Sequence, residues 1–191
     1  MLDLSKAKVC VTPYMSRFEK KTVHVFCDDI LEKSGIDLRY NPLSENTTIE
    51  FYNEKNLIDY EENIAGLFAE IPVPGKEGFR IRVIECDGKK RLLVLGKDER
   101  GEFYGMARIL RNISAKKDSV ICSDGICNMS MTPEYPLRGH QLGYRDKNNT
   151  YSAWTIQDYE RYIRDMALFG ANAIELLPPK TDDTLFSSTV V

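Results

Sequence analysis

The sequence predicts an α+β fold in which a sheet carries helices on one face, followed by a shorter parallel strand–helix–strand segment. In the first 132 residues, short segments with strand patterning are mixed with longer segments whose apolar residues repeat at helical spacing. Asp-Gly turns between strand patterns there indicate antiparallel hairpins. After residue 136 a strand, a helix and an apolar strand follow within about 40 residues, which is typical of a right-handed βαβ unit.

The first elements are a short strand at residues 9–11 and a long helix. Ser16 and Glu19 have the spacing of a capping box, in which each side chain accepts a hydrogen bond from the other residue's backbone N–H. The apolar residues that follow repeat at helical spacing, and Gly35 can end the helix in the left-handed conformation.

The middle of the first part predicts a strand, a short helix and a hairpin. Residues 47–52 are β-branched and aromatic, which favours a strand, and residues 57–69 are expected to hold a short helix. Strands at 79–86 and 92–95 flank the Asp87-Gly88 turn, so they are expected to pair as a hairpin.

A glycine turn and a second hairpin complete the first part. Two glycines lie five residues apart at 96–101, before a helix predicted from Phe103 to Ile113. A phosphate-binding loop would need Lys followed by Ser or Thr, which is absent, so a structural turn with Asp98 as the helix cap is favoured over nucleotide binding. Strands at 120–122 and 126–131 are predicted to pair around an Asp-Gly turn.

The boundary between two domains is predicted at residues 132–136, where two prolines make the chain stiff and extended. The predicted domains are an accessory α+β domain at 1–132 and a second segment at 133–191. That segment contains a strand at 137–144, a helix that begins at Thr155, and an apolar strand at 173–177 expected to be buried on both faces.

Composition excludes several classes of function. The net charge is −3 with both signs interspersed, so no nucleic-acid partner is expected. No apolar leader or stretch of about 18 apolar residues is present, which predicts a cytoplasmic protein with no membrane partner. The five cysteines form no Cys-x-x-Cys pair, and the two histidines lack ligand spacing to them, so neither a metal nor a cofactor is expected.

Three segments resemble glycoside hydrolases. Residues 95–110 look like a "G-x-D-x-R-G-x-x-Y-G" turn and helix, Arg138-Gly139 opens the next strand, and residues 167–175 resemble "A-x-x-G-x-N-x-I-E". This combination is similar to β-N-acetylhexosaminidases and α-glucuronidases of families 20, 67, 84 and 89. The resemblance implies a β-hexosaminidase-like N-terminal α/β sandwich domain, followed by the first β-α-β of a TIM barrel, (β/α)₈, that is truncated here.

The resemblance also implies a substrate class and a set of binding residues. A complete barrel takes about 250 residues, and in these families the catalytic carboxylates lie on later strands, so no catalytic residue is expected in this chain and the chain is expected to be inactive alone. Substrate contacts are expected after the first strand, at Tyr144 and Arg145, and after the second, at Lys180, Asp182 and Asp183. The expected partners are a carbohydrate and the missing C-terminal part of the barrel.

Departures from the family motifs leave the sugar open between an N-acetylhexosaminide and a glucuronide. Leu142 is followed by glycine where family 20 has aspartate, Arg145 comes one position early, and the segment 179–183 has one extra residue relative to family 84. Trp154 is interpreted as packing at the start of a helix, and His140 as a structural residue of the strand. The alternative function is a non-catalytic carbohydrate-binding or interaction module, which an exposed row of aromatic residues on the first domain would favour.

Overall fold

The computed structural model describes residues 1–41, 46–60, 62–142 and 154–176. The chain divides into two compact units, Met1–Glu134 (unit 1) and Tyr135–Val191 (unit 2), where the sequence predicted a division after residue 132. Strands and helices are mixed in unit 1, while the described part of unit 2 holds two strands and one helix. None of the helices in the described ranges is both long and apolar enough to span a membrane.

The described residues of unit 1 form eight strands and two α-helices. They are β1 (Leu2–Asp3), β2 (Ala7–Cys10), α1 (Arg17–Ser34), β3 (Thr47–Asn53), β4 (Phe79–Cys86), β5 (Lys89–Gly96), α2 (Glu99–Leu110), β6 (Ile113–Lys116), β7 (Ser119–Cys122) and β8 (Met129–Met131). The main sheet has the strand order β2-β3-β5-β4-β8, in which β2, β3 and β5 are parallel and the other pairs are antiparallel. A smaller antiparallel sheet has the order β1-β7-β6.

Helix α1 begins and ends where the sequence predicts. The Ser16 hydroxyl accepts a hydrogen bond from Glu19 N (3.2 Å), and the Glu19 carboxylate accepts one from Ser16 N (2.6 Å), which completes the capping box. Gly35 has φ 77°, a left-handed conformation that glycine adopts without the steric cost of a Cβ.

The two helices cover one face of the main sheet. Phe26 of α1 packs edge-to-face on Phe51 of β3, with ring centroids 5.4 Å apart, and Phe51 is the register partner of Val94 on β5. A Cβ added at Gly105 of α2 would lie 2.5 Å from Val94 Cγ1, so α2 packs closely on the same face. This arrangement confirms the predicted sheet with helices on one face.

The opposite face of the sheet is covered by an irregular segment, and here the predicted helix at 57–69 is wrong. The segment forms two 3₁₀ turns, Leu57–Asp59 and Gly66–Phe68, and packs Ile64, Phe68 and Ile71 against Leu93 and other residues of the sheet. The side-chain oxygen Oδ1 of Asn63 accepts a hydrogen bond from the Gly66 N–H (3.0 Å), a local bond that competes with helical hydrogen bonding. Burial of the apolar side chains against the sheet therefore outweighs any local preference of this segment for a helix.

The hairpin at Asp87-Gly88 is confirmed, whereas the second predicted hairpin is wrong. Strand β7 pairs with β6 instead, through a turn in which Asp118 has φ 58°, and β8 pairs with β4. The Asp-Gly pair at 124–125 lies in a 3₁₀ turn, and Gly125 lacks the positive φ that a tight hairpin turn needs. Ile113, predicted as the end of a helix, begins β6.

Unit 2 has the predicted strand–helix–strand order. Strands β9 (Gly139–Leu142) and β10 (Ala173–Leu176) are parallel and paired in register, and α3 (Ile156–Leu168) lies between them in the sequence. Strand β10 is not buried on both faces as expected. Leu176 is 54% exposed, because the described part of the unit supplies a single neighbouring strand for β10.

Candidate functional site

The predicted substrate-binding residues lie outside the described residues. These are Tyr144, Arg145, Lys180, Asp182 and Asp183. The structure describes the two strands that precede them in the sequence. Leu142, the last residue of β9, is the register partner of Leu176, the last residue of β10, so the carboxyl ends of both strands lie at the same edge.

The two faces of the β9–β10 pair differ in character. His140 Nδ1 and Tyr162 Oη of α3 are 2.6 Å apart and share a hydrogen bond, so His140 faces the helix and fills the structural role expected of it. Because side chains alternate along a strand, Gln141 faces away from α3, together with its register partner Glu175. Both are exposed, so the uncovered face carries an amide beside a carboxylate.

Arg138 and Asn172 connect two of the segments that carry the glycoside hydrolase resemblance. Arg138 N donates to Asn172 Oδ1 (2.9 Å), and Arg138 Nε donates to Gly170 O (2.8 Å). Asn172 Nδ2 donates in turn to Pro136 O (2.8 Å). These bonds lie at the amino ends of β9 and β10, opposite the edge where substrate residues are predicted. They hold the two segments together, so their role there is structural.

The start of α3 confirms the interpretation of Trp154. Thr155 caps the helix, and a capping box with Asp158 is complete. The Trp154 ring packs against Tyr159 and Tyr162, with centroid separations of 5.3 and 5.1 Å. The contact between the residue before the cap and the fourth helical residue is a hydrophobic staple.

Unit 1 contains a buried pair of carboxyl groups that the sequence did not indicate. Asn53 Nδ2, at the end of β3, donates to Glu19 Oε1 (2.7 Å) and to Glu102 Oε2 (3.2 Å). Glu102 is fully buried and Glu19 is 1% exposed. Burial, followed by the charge of Glu19, raises the pKa of Glu102 to about 9, so Glu102 holds a proton at neutral pH and hydrogen-bonds Glu19.

Two acidic groups are also what a glycosidase uses, but this pair is closed to a substrate. A glycosidase acid must reach the oxygen of the bond that breaks. Glu19 is instead surrounded by donors of its own chain, with Asn56 Nδ2 2.8 Å from Oε1 and Ser16 N 2.6 Å from Oε2. The pair joins the first turns of α1 and α2 at the carboxyl ends of the parallel strands, and its role is structural.

The glycine turn between β5 and α2 is filled by protein, which agrees with its structural interpretation. A Cβ at Gly101 would overlap the carbonyl oxygen of Gly78. Asp98 Oδ1 accepts the Gly101 N–H (2.9 Å) and Asp98 Oδ2 accepts the Glu77 N–H (3.0 Å). The carboxylate thus occupies the helix N-terminus that a phosphate would need.

Metal and thiol chemistry have little support in the described ranges. No group of three or more His, Cys, Asp or Glu residues there could hold a metal ion. All five cysteines are free thiols, and burial raises the pKa of Cys27 and of Cys122 to about 12. These two thiols are therefore protonated and unreactive at neutral pH.

No protein-family profile and no curated protein sequence matches this chain. Several solved structures of glycoside hydrolases share its fold. One is a family GH115 4-O-methyl-α-glucuronidase with specificity for decorated arabinogalactans, at 18% identity and a TM-score of 0.58, over 89% of this chain and 25% of that one. Another is CpGH84B, at 17% identity and a TM-score of 0.57, over 93% of this chain and 27% of that one.

A third is the GH20 β-N-acetylhexosaminidase from Streptomyces coelicolor A3(2), at 15% identity and a TM-score of 0.54, over 89% of this chain and 29% of that one. This chain therefore spans between a quarter and a third of the length of these enzymes. At such low sequence identity, the structural likeness shows that the folds are similar and nothing more. The resemblance to glycoside hydrolases predicted from the sequence is confirmed at that level: the chain has the fold of a part of these enzymes.

Proposed function

We propose that this chain is the N-terminal part of a glycoside hydrolase. Unit 1 is the accessory α+β domain, of the sandwich type that precedes the barrel in β-hexosaminidases. Unit 2 forms the first strand–helix–strand of a (β/α)₈ barrel. The observation that carries the proposal is the parallel β9–β10 pair, joined through α3 and bare on the face that would line the barrel interior.

The exposure of unit 2 supports this assignment. Helix α3 contributes no buried residue, and Ile163 on the helix and Leu176 on β10 are 40% and 54% exposed. Two parallel strands are too few for an independently stable sheet. Further strands beside β10 and further helices beside α3 would cover this apolar surface, as neighbouring repeats do in a barrel.

The proposed substrate class is supported by the enzymes of similar fold. One acts as a glucuronidase and another as a β-N-acetylhexosaminidase, which supports a glucuronide- or N-acetylhexosaminide-type glycan as substrate. Substrate residues in such barrels follow the carboxyl ends of the strands. Tyr144, Arg145, Lys180, Asp182 and Asp183 follow β9 and β10 in the sequence, and we assign them to sugar binding.

In this proposal the catalytic carboxylates come from later strands, and the 191-residue chain is inactive by itself. The described acidic residues of unit 2 fit that expectation. Asp158 is used as a helix cap, Glu160 and Asp165 are exposed on α3, and Glu175 lies on the uncovered face of β10.

The test compares this chain with a version extended by the sequence encoded downstream of Val191. Both are assayed against chromogenic N-acetylglucosaminide and glucuronide substrates. We expect hydrolysis by the extended protein and none by the 191-residue chain. In the extended protein Arg145→Ala is expected to reduce kcat/KM strongly, whereas Arg161→Ala, on the exposed face of α3, leaves it unchanged.

Hydrolysis by the short chain that survives repurification would contradict the proposal. A stop codon directly after Val191 would contradict it as well, because no barrel could then be completed.

A second candidate, a non-catalytic carbohydrate-binding module, is favoured by one specific observation. The exposed ring of Tyr40, 81% accessible, borders a cleft on unit 1.

A further inference from the structure

The face of the β9–β10 pair that points away from α3 carries two polar side chains close to its carboxyl edge. Gln141 and Glu175 are register partners, and both are exposed. Paired strands lie about 4.8 Å apart, so the two side chains can contact the same small ligand. Each lies one residue before the end of its strand, roughly 3.3 Å below the edge after which the predicted substrate residues follow.

The amino end of the same face is lined by small residues. Gly139 and Ala173 are register partners two positions earlier, so they lie on the same face as Gln141 and Glu175. A Cβ added at Gly139 would lie 2.8 Å from Ala173 O and 3.1 Å from Ala173 Cβ, which would force the two strands to shift. Polar groups on this face are therefore confined to the carboxyl end, where a (β/α)₈ barrel has its active site.

A carboxylate in β10 departs from what a parallel strand of a barrel ordinarily contains. Such strands are covered on both faces and are mostly apolar, yet Glu175 stands among Ala173, Ile174 and Leu176. In a completed barrel this face would be largely removed from water. A carboxylate held there without hydrogen-bond partners would destabilise the fold, so Glu175 requires partners.

The described residues supply no such partners. His140, the other polar residue of β9, has its Nδ1 2.6 Å from Tyr162 Oη on the opposite face. Among the described residues, the side chains of Gln141 and Glu175 have neither a hydrogen-bond partner nor an ion-pair partner. Their donors and acceptors are therefore available to a ligand that enters from the carboxyl edge.

We propose that Gln141 and Glu175 bind hydroxyl groups of the sugar at the floor of the active site. The inference rests on the proposed function, since it needs the barrel to be complete. The Gln141 amide donates to one hydroxyl oxygen, and the Glu175 carboxylate accepts a hydrogen bond from a neighbouring hydroxyl of the same ring. Neither group attracts a substrate carboxylate, so the pair recognises hydroxyl groups, which N-acetylhexosaminides and glucuronides both carry.

The test uses the extended protein and whichever chromogenic substrate it hydrolyses, together with a series of monodeoxy analogues that each lack one ring hydroxyl. We expect Glu175→Gln and Gln141→Ala each to lower kcat/KM for the complete substrate by at least about fivefold. For the analogue that lacks the contacted hydroxyl, the same substitution should change kcat/KM by less than about twofold. A purely structural role would instead lower kcat/KM by the same factor for every member of the series.

The matched controls are Glu160→Gln and Gln157→Ala, which change the same residue types at exposed positions of α3. Both should match the parent with every substrate, and the urea midpoint of each variant reports its folding. Gln141→Ala keeps the charge of Glu175 in place, so it tests the pair independently if Glu175→Gln does not fold.

The outcomes separate this inference from the proposed function. An active parent whose kcat/KM is unchanged in both variants, or falls equally for every analogue, would overturn the inference alone. Loss of folded protein in both variants would overturn it too, because the pair would then be structural. An extended parent that hydrolyses neither chromogenic substrate would contradict the proposed function itself, and the inference with it.

Discussion

Unit 1 and unit 2 begin helices with the same kind of capping motif, but their apolar side chains are buried to different degrees. Both have a helix with a complete capping box, at Ser16 in unit 1 and at Thr155 in unit 2. In unit 1 both faces of the main sheet are covered, and Leu93 and Val94 at its centre are fully buried. In the described part of unit 2, Leu142 is the single buried residue. Local signals therefore specify secondary structure, while stability depends on how many layers cover it.

The largest expected difference between the units comes from truncating a leucine in a strand of each. Leu93 on β5 is fully buried and Leu176 on β10 is 54% exposed. Leu93→Ala should lower the free energy of unfolding by about 2–5 kcal/mol, because it removes buried methyl groups and leaves a cavity. Leu176→Ala should change it by less than about 1 kcal/mol.

Two optical signals separate the units in urea denaturation. Trp154 is the only tryptophan in the chain and lies in unit 2, so its fluorescence reports that unit, while far-ultraviolet circular dichroism is dominated by unit 1. We expect Leu93→Ala to move the circular dichroism midpoint. Equal midpoint shifts for the two variants would show that unit 2 is as well packed as unit 1.

The second prediction concerns the pH dependence of unit 1. The pKa of Glu102 rises from its ordinary value of 4.5 to about 9 in the folded chain, first because of burial and then because of Glu19. Between these values the folded chain holds one proton more than the unfolded chain. The free energy of unfolding should therefore fall by about 1.4 kcal/mol per pH unit as pH rises, with this contribution complete below 4.5 and lost by about 9.

Glu102→Gln should remove that slope and stabilise unit 1 at pH 8, because a neutral amide can donate to Glu19 and accept from Asn53 without carrying charge. Glu160→Gln, exposed on α3, is the control and should leave the slope unchanged. The measurement is the urea midpoint by circular dichroism from pH 5 to pH 9. A parent slope that persists in Glu102→Gln would rule out Glu102 as its source.

The smallest predicted effect compares the two capping boxes. Ser16→Ala and Thr155→Ala each remove a side-chain acceptor from a helix start, at a cost of about 0.5–2 kcal/mol. Ser16→Ala should shift the circular dichroism midpoint, and Thr155→Ala should shift the Trp154 fluorescence midpoint. Each variant serves as the control for the other, and a shift of both signals in either variant would mean that the two units unfold together.

The elements that the sequence predicted well are those with a local chemical signal. The capping boxes at Ser16 and Thr155, the left-handed Gly35 and the Asp87-Gly88 turn all lie within a few residues of the structure that they specify. The parallel pairing of β9 with β10 was predictable for a related reason. A helix between two strands leaves a parallel crossover as the usual connection.

The parts that the sequence did not predict depend on partners far along the chain. A short helix is expected from the sequence within residues 57–69, but the described residues there form 3₁₀ turns at Leu57–Asp59 and Gly66–Phe68, and Ile64 and Phe68 are buried against the main sheet. Glu19 and Glu102 are 83 residues apart in sequence and meet only because two helices begin at the same edge of that sheet. A glutamate in the first turn of a helix is ordinarily exposed, so neither position signals a buried acid.

The most direct test of the central claim, that unit 1 is a complete core and unit 2 is an incomplete one, is amide hydrogen exchange on the 191-residue chain. Amides of β5 and α2 should be the slowest to exchange, near the global limit. Amides of α3 and β10 should exchange at least about a hundredfold faster, because they open without unfolding unit 1. Equal protection of β5 and β10 would contradict the account.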